Sequence, residues 1–315
     1  MPNSSPSNAP QTPRFVSIGE CMIEMAPASI DGEYKLGFAG DTFNTAWYIK
    51  ALSPSAQSRF VSRVGKDVVS DRMLAMMEGS GIDSSHILRS DERSLGLYMI
   101  SLKNGERSFS YWRDSSAARQ LADDRETLKA AIDDGDVIYF SGITMAILDT
   151  VGRDTLLDVV RDARAAGKTT VFDSNLRPRL WGSNTEMTEA VMRAASACDI
   201  VLPSFDDEQD HFGDADITAT RERYLSAGAT TVIVKNGEGD VHYTHDGKTG
   251  MVTPPAATSV VDTTSAGDSF NAGFLVGITK HGIASDAILQ ASAVARHCIS
   301  QKGALVPLPA DMVLD

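Results

Sequence analysis

The chain has 315 residues, of which 42% are hydrophobic and 23% are charged, and these values are typical of a globular protein with a sizeable core. Its formal net charge is -13 and no basic stripe stands out, which argues against nucleic acid and anionic membrane surfaces as partners. No apolar run reaches the roughly 18 residues of a membrane span. The three cysteines, Cys21, Cys198 and Cys298, show no metal-ligand spacing, so we expect reduced thiols and a cytoplasmic protein.

The N-terminal part of the chain predicts a tail, a strand, a hairpin and a helix. Residues 1–13 are rich in Ser, Pro and Asn without the pattern of a signal peptide, so we expect a disordered tail. Residues 15–19 predict a buried strand, and residues 21–40, with turn residues at Asp31 and Gly32, predict a hairpin outside the main sheet. Asp41 is the predicted N-cap of a helix that continues through Leu52.

A second hairpin is predicted around Asn104 and Gly105, the strongest short hairpin signal in the chain. Its strands, residues 95–102 and 108–112, carry Tyr98 and Tyr111, and Arg113 follows directly. Aromatic pairing across the strands is the ordinary structural role of such tyrosines. Together the two hairpins predict a small β lid formed by about residues 21–40 and 94–113. Because exposed strands pair readily with one another, we expect a homo-oligomer joined through this lid.

From residue 137 onwards the pattern is one of alternating strands and helices. Short β-branched runs at residues 137–140, 169–172, 200–202 and 231–234 are separated by helical periodicity, for example over residues 155–166. This alternation predicts an α/β fold with a central, mostly parallel sheet covered by helices on both faces. Since no linker or repeat interrupts the chain, we expect a single domain over residues 14–315.

Polar residues directly follow several of the predicted strands. Asp173, Ser204, Lys235 and Asp262 occupy such positions, the last of them after a predicted strand within residues 260–264. Ligands of open parallel sheets collect beyond the carboxyl ends of the strands. We therefore expect a binding site at this edge, independently of any resemblance to known proteins.

The turn at residues 265–271 is the most informative segment of the chain. A small-residue turn that leads into a helix leaves backbone amides free at the positive end of the helix dipole, and this arrangement binds anions such as phosphate. Asp268 lies in the first turn of that helix. Its carboxylate could be a capping group or a base beside a bound phosphoryl group, and the turn alone does not decide between them.

Residues 262–273 resemble the C-terminal signature of the ribokinase-like (PfkB) sugar kinases, and residues 38–46 resemble the sugar-binding segment of that family. Residues 18–25, 96–98, 111–113 and 172–181 are similar to the 2-keto-3-deoxygluconate kinases within it. The resemblance implies a ribokinase-like fold and transfer of the ATP γ-phosphate to the terminal (6-) hydroxyl of 2-keto-3-deoxygluconate. It also implies Mg²⁺ and allows a monovalent cation such as K⁺. The alternatives are another sugar kinase, such as a fructokinase, or a sugar-acid-binding regulator without turnover.

The resemblance also implies roles for individual residues. Asp268 would be the catalytic base, and Arg177 would reach the transferring phosphate or the sugar acid. Arg113 would bind the substrate carboxylate, for which a planar guanidinium is well suited. The other expected substrate contacts are Gly40, Asp41, Asn44, Tyr98, Tyr111 and, as a candidate also for the monovalent cation, Asp262. The expected nucleotide contacts are Asn175, Ser204, Lys235, Gly237, Glu238 and Gly239, with the amides of Ser265, Ala266 and Gly267 as the anion hole.

Each role has an ordinary alternative, and the chain departs from the family pattern at three places. Arg177 could be a solvated surface charge, and residues 235–239 could be a simple Gly-rich turn. Ala39 and Ser265 replace the commoner glycines of the two signatures, and Ser204 stands in a pair that usually contains Asn. At positive φ, Ala39 would cost about 1 kcal/mol. The chain has neither the Gly-x-x-x-x-Gly-Lys phosphate loop nor the Gly-x-Gly-x-x-Gly dinucleotide turn.

Overall fold

The computed structural model of the protein describes residues 12–30, 32–103 and 106–314, and describes no side chains for residues 102–107. Most of the predicted N-terminal tail, together with Asp31, Asn104 and Gly105 of the two predicted turns, lies outside the described residues. Within the described part of the chain, no helix is long and apolar enough to cross a membrane. Cys21, Cys198 and Cys298 are free and buried.

A nine-stranded sheet forms the centre of the molecule. In spatial order its strands are β15 (Lys248–Val252), β14 (Val241–His245), β13 (Thr231–Val234), β12 (Ile200–Val201), β11 (Thr169–Asp173), β10 (Val137–Ser141), β1 (Arg14–Ile18), β4 (Gln57–Val61) and β6 (Ile82–Asp83). The strands from β13 to β6 are parallel, and β14 and β15 add an antiparallel hairpin at one edge. This confirms the predicted α/β fold, in which apolar runs are buried on both faces.

Helices cover both faces of this sheet. On one face lie α1 (Asp41–Leu52), α9 (Ala266–His281) and α10 (Ala284–Ile299), and α2 (Val68–Gly79) packs beside the edge strand β6. On the other face lie α3 (Arg125–Ile132), α4 (Gly142–Ile147), α5 (Thr150–Ala165), α6 (Asn184–Ser196), α7 (Phe205–Phe212) and α8 (Ile217–Ser226). The contact between α9 and α10 requires Gly273, because a Cβ there would lie 2.7 Å from the Cα of Ala291.

A separate four-stranded sheet is built from the two segments that were predicted as a lid. Its order is β3 (Tyr34–Ala39), β2 (Met22–Pro27), β8 (Leu97–Lys103) and β9 (Glu106–Trp112). The two hairpins are antiparallel, and β2 and β8 join them in parallel. A further two-stranded sheet consists of β5 (Arg63–Gly65) and β7 (Leu88–Ser90). The movement of the small sheet as a lid, and the assignment of residues 14–315 to one domain, stay predictions.

Two local predictions are wrong. Residues 260–264 form no strand, because the amides of Val261 and Asp262 donate to the carbonyl oxygen of Ile299 at the end of α10 and no neighbouring strand is present there. Asp41 is the first residue of α1 and not its N-cap, which is Gly40. No side chain caps this helix, and the Asp41 carboxylate has other partners, described below.

Candidate active site

The N-terminus of α9 forms a tight turn at the carboxyl edge of the main sheet. Its N-cap, Ser265, has φ 64°, a left-handed conformation that explains why glycine would be the easier residue there. The first helical hydrogen bond runs from the amide of Ser269 to the carbonyl of Ser265 at 2.9 Å. The amides of Gly267 and Asp268 therefore precede the hydrogen-bonded ladder and face the end of the helix.

One amide of the predicted anion hole is committed within the turn. The Ala266 N–H donates to the carbonyl oxygen of Thr263 at 3.2 Å. The expectation that the amides of Ser265, Ala266 and Gly267 form an anion hole stays a prediction, and in this structure the Ala266 amide already has a partner. The Gly267 and Asp268 amides, by contrast, lie at the positive end of the helix dipole, where anions are favoured.

Asp268 is held by two side chains and does not act as a helix cap. Its Oδ2 accepts hydrogen bonds from Asn44 Nδ2 and Ser265 Oγ, each at 2.8 Å. Asn44 belongs to α1, so this bond joins two helices that are 224 residues apart in sequence. Thr45 fixes the backbone of the same residue, because its Oγ1 donates to the Asp268 carbonyl at 3.3 Å.

The surroundings of Asp268 make its carboxyl group an unusually strong base. The side chain keeps partial solvent access, yet burial among protein atoms raises its pKa to about 7, and the negative charges of Asp41 and Asp173 add to the rise. The hydrogen bonds from Asn44 and Ser265 oppose it. A carboxyl group with a pKa near the working pH is suited to accept a proton during a reaction.

Asp41 lies at the start of α1, where three elements meet. Its Oδ2 accepts hydrogen bonds from Ser141 Oγ at 2.5 Å and from Asn175 Nδ2 at 2.7 Å. Burial raises the pKa of Asp41, and these donors lower it. Asn175 reaches this position with φ 32°, in the left-handed region that asparagine tolerates better than most residues. Gly40 is required sterically, because a Cβ there would lie 2.0 Å from the carbonyl oxygen of Glu20.

A third cluster lies where β11 and β13 end. Lys235 Nζ donates to Asp173 Oδ1 at 3.2 Å and to Asn271 Oδ1 at 3.1 Å. Asn271 Nδ2 donates in turn to Asp173 Oδ2 at 2.8 Å and to Tyr139 Oη at 3.1 Å. The structure thus brings Lys235 to the N-terminal part of α9.

The small sheet contributes a buried ion pair. Arg113 Nη2 donates to Glu20 Oε2, and the side chains are 6% and 1% exposed. Within the described residues, Arg113 Nε and Glu20 Oε1 have no hydrogen-bond partner. Buried polar atoms without partners are rare in folded proteins, and this pair contains one such donor and one such acceptor.

Tyr98 and Tyr111 of the small sheet face different surroundings. They are cross-strand partners with ring centroids 6.0 Å apart. Tyr98 is buried and donates its hydroxyl to Glu24 Oε2, whereas Tyr111 is 51% exposed.

A family model described as "pfkB family carbohydrate kinase" matches residues 12–311. The chain belongs to this family. It is 38% identical over 300 residues to a 2-dehydro-3-deoxygluconokinase of Haemophilus influenzae, with 93% of this chain and 95% of the relative covered. It is also 37% identical to the Dickeya dadantii protein of the same name (95% and 98% covered) and 36% identical to the Escherichia coli protein (93% and 97% covered).

Solved structures with the same fold include a PfkB protein from Polaromonas, with a TM-score of 0.84, 22% identity and coverage of 96% of this chain and 99% of the other. An aminoimidazole riboside kinase from Salmonella enterica, solved with its riboside and an ATP analogue, has a TM-score of 0.81 at 22% identity, with 95% and 98% covered. These likenesses, together with the family match, confirm the ribokinase-like fold that residues 262–273 and 38–46 predicted.

Of the residues that the family resemblance assigns to the site, Asn44, Asp268 and Ser265 are joined by hydrogen bonds. Asp41 and Asn175 form a separate hydrogen-bonded pair. The nearest charged partner of Arg177 is Asp207, at 3.8 Å, and its guanidinium is half exposed. Among the described residues, no hydrogen bond or ion pair links Arg177 to Asp268.

The remaining expected nucleotide contacts lie in two places. Ser204 is the N-cap of α7 and forms a parallel bridge with Lys235. The turn that contains Gly237, Glu238 and Gly239 is exposed to solvent.

The structure gives Asp262 and Ala39 backbone roles. Asp262 accepts the amide of Thr264 at 3.1 Å and that of Gly303 at 2.7 Å, which ties the start of the α9 turn to the loop after α10. Ala39 ends β3 and is not among the described residues with positive φ, so the cost expected for alanine there does not arise.

Several residues of the pfkB site were missed by sequence reasoning. They are Glu20, Tyr139, Ser141 and Asn271, while Asp173 was recognised only by its place at a strand end. A signal existed for two of them, since Glu20 directly follows the first strand motif and Asn271 ends the predicted anion turn. Nothing in the local sequence pointed to Tyr139 or Ser141, whose partners are about a hundred residues or more away in the chain.

In the described part of the chain, no group of three or more His, Cys, Asp or Glu side chains could hold a metal ion. Mg²⁺ usually keeps several waters and is bound through substrate phosphates with few protein ligands. A magnesium ion held in that way needs no such group of protein ligands.

Proposed function

We propose that this protein is a 2-dehydro-3-deoxygluconokinase, which transfers the ATP γ-phosphate to the terminal (6-) hydroxyl of 2-keto-3-deoxygluconate. The observation that supports this proposal is the hydrogen bond from Asn44 Nδ2 to Asp268 Oδ2 at 2.8 Å, which joins the proposed base in the first turn of α9 to the segment at residues 38–46. The names of relatives that are 36–38% identical over more than nine-tenths of the chain support the choice of substrate.

In the proposed reaction, Asp268 accepts the proton of the attacking hydroxyl as that oxygen bonds to the transferred phosphorus. The Gly267 amide and the α9 dipole stabilise the phosphoryl oxygens. When it is bound, Mg²⁺ supplies charge neutralisation on the phosphates. Asn44 and Ser265 orient the carboxylate, so the base is in place before the substrate arrives.

We assign the substrate carboxylate to Arg113, and we propose that Arg177 reaches the transferring phosphate or the sugar acid. Arg113 is already paired with Glu20, so the substrate would compete for or extend a buried ion pair. That arrangement favours a ligand with both a carboxylate and neighbouring hydroxyls. Gly40, Asp41, Asn44, Tyr98, Tyr111 and Asp262 complete the proposed substrate contacts.

For the nucleotide, we propose contacts from Asn175, Ser204, Lys235, Gly237, Glu238, Gly239, Ser265, Ala266 and Gly267. In this assignment Ala266 contributes packing, because its amide is already bonded to Thr263. A monovalent cation such as K⁺ near Asp262 is the remaining part of the cofactor proposal. Comparison of turnover in K⁺ and in Na⁺ at equal ionic strength tests that part.

We also propose that the protein is a cytoplasmic homo-oligomer. Three free, buried thiols are in keeping with a reducing compartment. The small sheet exposes Tyr34, Tyr111 and Trp112 at 38%, 51% and 58%, and a second copy of the same sheet would cover them. Light scattering of the purified protein, with and without Trp112→Glu, tests this assembly.

The experiment that decides the function is ADP release from a panel of acceptors. The panel contains 2-keto-3-deoxygluconate, its galactonate epimer, fructose and ribose. We expect the highest kcat/KM with a keto-deoxy sugar acid. Preference for fructose would identify another sugar kinase. Ligand-dependent thermal stabilisation without ADP release would identify a regulator that has lost turnover.

A further inference from the structure

Lys235 is grouped with Gly237, Glu238 and Gly239 as an expected nucleotide contact, but its surroundings differ from theirs. The residue directly follows β13 and is 9% exposed. A Cβ built on Gly267 would lie 3.8 Å from Lys235 Nζ. Gly267 is the second residue of α9, so the ammonium group lies beside the amides that precede the helical ladder. The turn at residues 237–239, in contrast, is exposed.

Two side chains fix the ammonium group in this place. Asp173 Oδ1 and Asn271 Oδ1 accept from Lys235 Nζ at 3.2 and 3.1 Å, and Asn271 Nδ2 closes the triangle to Asp173 Oδ2 at 2.8 Å. Asp173 is 3% exposed and Asn271 is fully buried. A lysine is almost never buried to this degree unless it is paired, and here both partners are themselves rigidly bonded.

The triangle leaves the lysine with capacity for a ligand. An ammonium group carries three N–H donors, and two acceptors are recorded for it among the described residues. Asp173 offsets the positive charge of Lys235, and the carboxylates of Asp41 and Asp268 add further negative charge nearby. These carboxylates would repel an incoming phosphate, so its binding depends strongly on the attraction of the Lys235 ammonium group.

We propose that Lys235 binds the terminal phosphate of ATP at the N-terminus of α9, and that Asp173 and Asn271 are the positioning residues that hold it there. This rests on the proposed kinase function. In the transfer, the bond from the γ-phosphorus to the β–γ bridging oxygen breaks and the bond to the sugar oxygen forms. Asp268 takes the hydroxyl proton, ADP leaves, and Lys235 keeps its own protons throughout.

The first test is nucleotide binding measured by calorimetry on the full chain, with ADP and a non-hydrolysable ATP analogue as probes. We expect Lys235→Met to weaken the ATP analogue at least tenfold and ADP less than threefold. Lys235→Arg should recover part of the loss. Equal loss for both probes would mean that the lysine contacts the part shared by the two nucleotides. No loss would mean that it only balances Asp173, and either result overturns the proposal.

Lys248→Met is the matched control, because Lys248 is an exposed lysine in β15 on the edge hairpin. It should bind both probes as the wild type does. Since Lys235→Met leaves the Asp173 carboxylate buried without its cation, the double variant Asp173→Asn with Lys235→Met provides a second, charge-balanced background. We expect the same selective loss of the ATP analogue in that background.

Kinetics test the positioning residues. Asp173→Asn should raise the KM for ATP several-fold more than the KM for the sugar acid. The double variant with Asp173→Asn and Lys235→Met should have nearly the same KM for ATP as Lys235→Met alone. Fully additive losses, or an unchanged KM for ATP, would remove the positioning role. If the wild type phosphorylates no sugar acid, the proposed function fails by itself, while the binding measurements still report on Lys235.

Discussion

The substitution Asp268→Asn should make the protein inactive and, at the same time, more stable at alkaline pH. The raised pKa means that the folded state binds more protons at this position than the unfolded state does between the ordinary pKa of 3.8 and about 7. Stability must therefore fall as the pH rises through that window. Asparagine has the shape of aspartate and can accept the same bonds from Asn44 and Ser265, but it carries no charge to desolvate.

The size of the effect follows from the pKa. The rise from 3.8 to about 7 corresponds to about 4 kcal/mol above pH 7. Because the side chain of Asp268 keeps partial solvent access, screening reduces this to about 2 kcal/mol at pH 8 and to about 1 kcal/mol at pH 5. In a chain of this length, about 2 °C per kcal/mol gives a Tm increase of about 4 °C at pH 8 and about 2 °C at pH 5.

The assay is thermal unfolding at the two pH values, combined with turnover by coupled ADP release. Loss of the proposed base should lower kcat by at least about 100-fold. Asp286→Asn is the control, since Asp286 is an exposed aspartate in the first turn of α10, and its small change in Tm should be the same at both pH values. An Asp268→Asn variant with near-wild-type kcat, or one that is less stable than the wild type at pH 8, would refute the reasoning.

Three further substitutions probe the site. Arg113→Lys should raise the KM for the sugar acid far more than it lowers kcat, because a point charge cannot make bidentate contact, and an unchanged KM in steady-state kinetics would count against this assignment. Ser265→Gly is compatible with φ 64° but removes a hydrogen bond that lowers the pKa of Asp268. The acid limb of the pH–kcat profile should therefore move to higher pH, and an unchanged limb would show that this bond does not set the pKa of the base. Gly40→Ala should destabilise the fold by about 1–3 kcal/mol, because its Cβ would lie 2.0 Å from the Glu20 carbonyl oxygen, whereas Gly79→Ala, with no neighbour within 4 Å, should not destabilise it in thermal unfolding.

The sequence allowed the fold and the position of the site to be predicted, because both depend on local patterns. β-branched runs such as residues 137–140 and 231–234 form parallel strands wherever helices separate them, and the carboxyl ends of such strands share an edge. Placing Asp173 and Lys235 at one edge therefore needed no knowledge of tertiary contacts. The segment at residues 260–264 has the same composition as a strand, but it lacks a partner strand, and no local pattern can reveal that.

Local sequence patterns did not show which partners some of the site residues have in the fold. Arg113 is paired with Glu20, 93 residues away, and the sequence around each residue does not indicate that they pair. The Ala266 amide donates to the Thr263 carbonyl oxygen because the shape of the turn brings these two groups together. The sequence predicts that a small-residue turn before a helix binds an anion, but only the three-dimensional structure shows which amides are free to do so.

The pKa of Asp268 also explains why a carboxylate can serve in a site that receives two anionic substrates. An ordinary aspartate would be a roughly thousandfold weaker base, and one with a much higher pKa would be protonated at neutral pH and unable to accept a proton. A value of about 7 lies between these limits, and it is set by the burial and the neighbouring carboxylates that also cost stability. When the proposed base takes the hydroxyl proton, its negative charge disappears as the new phosphate ester forms nearby. The proton therefore moves within the site, and the total charge of the site stays constant during transfer.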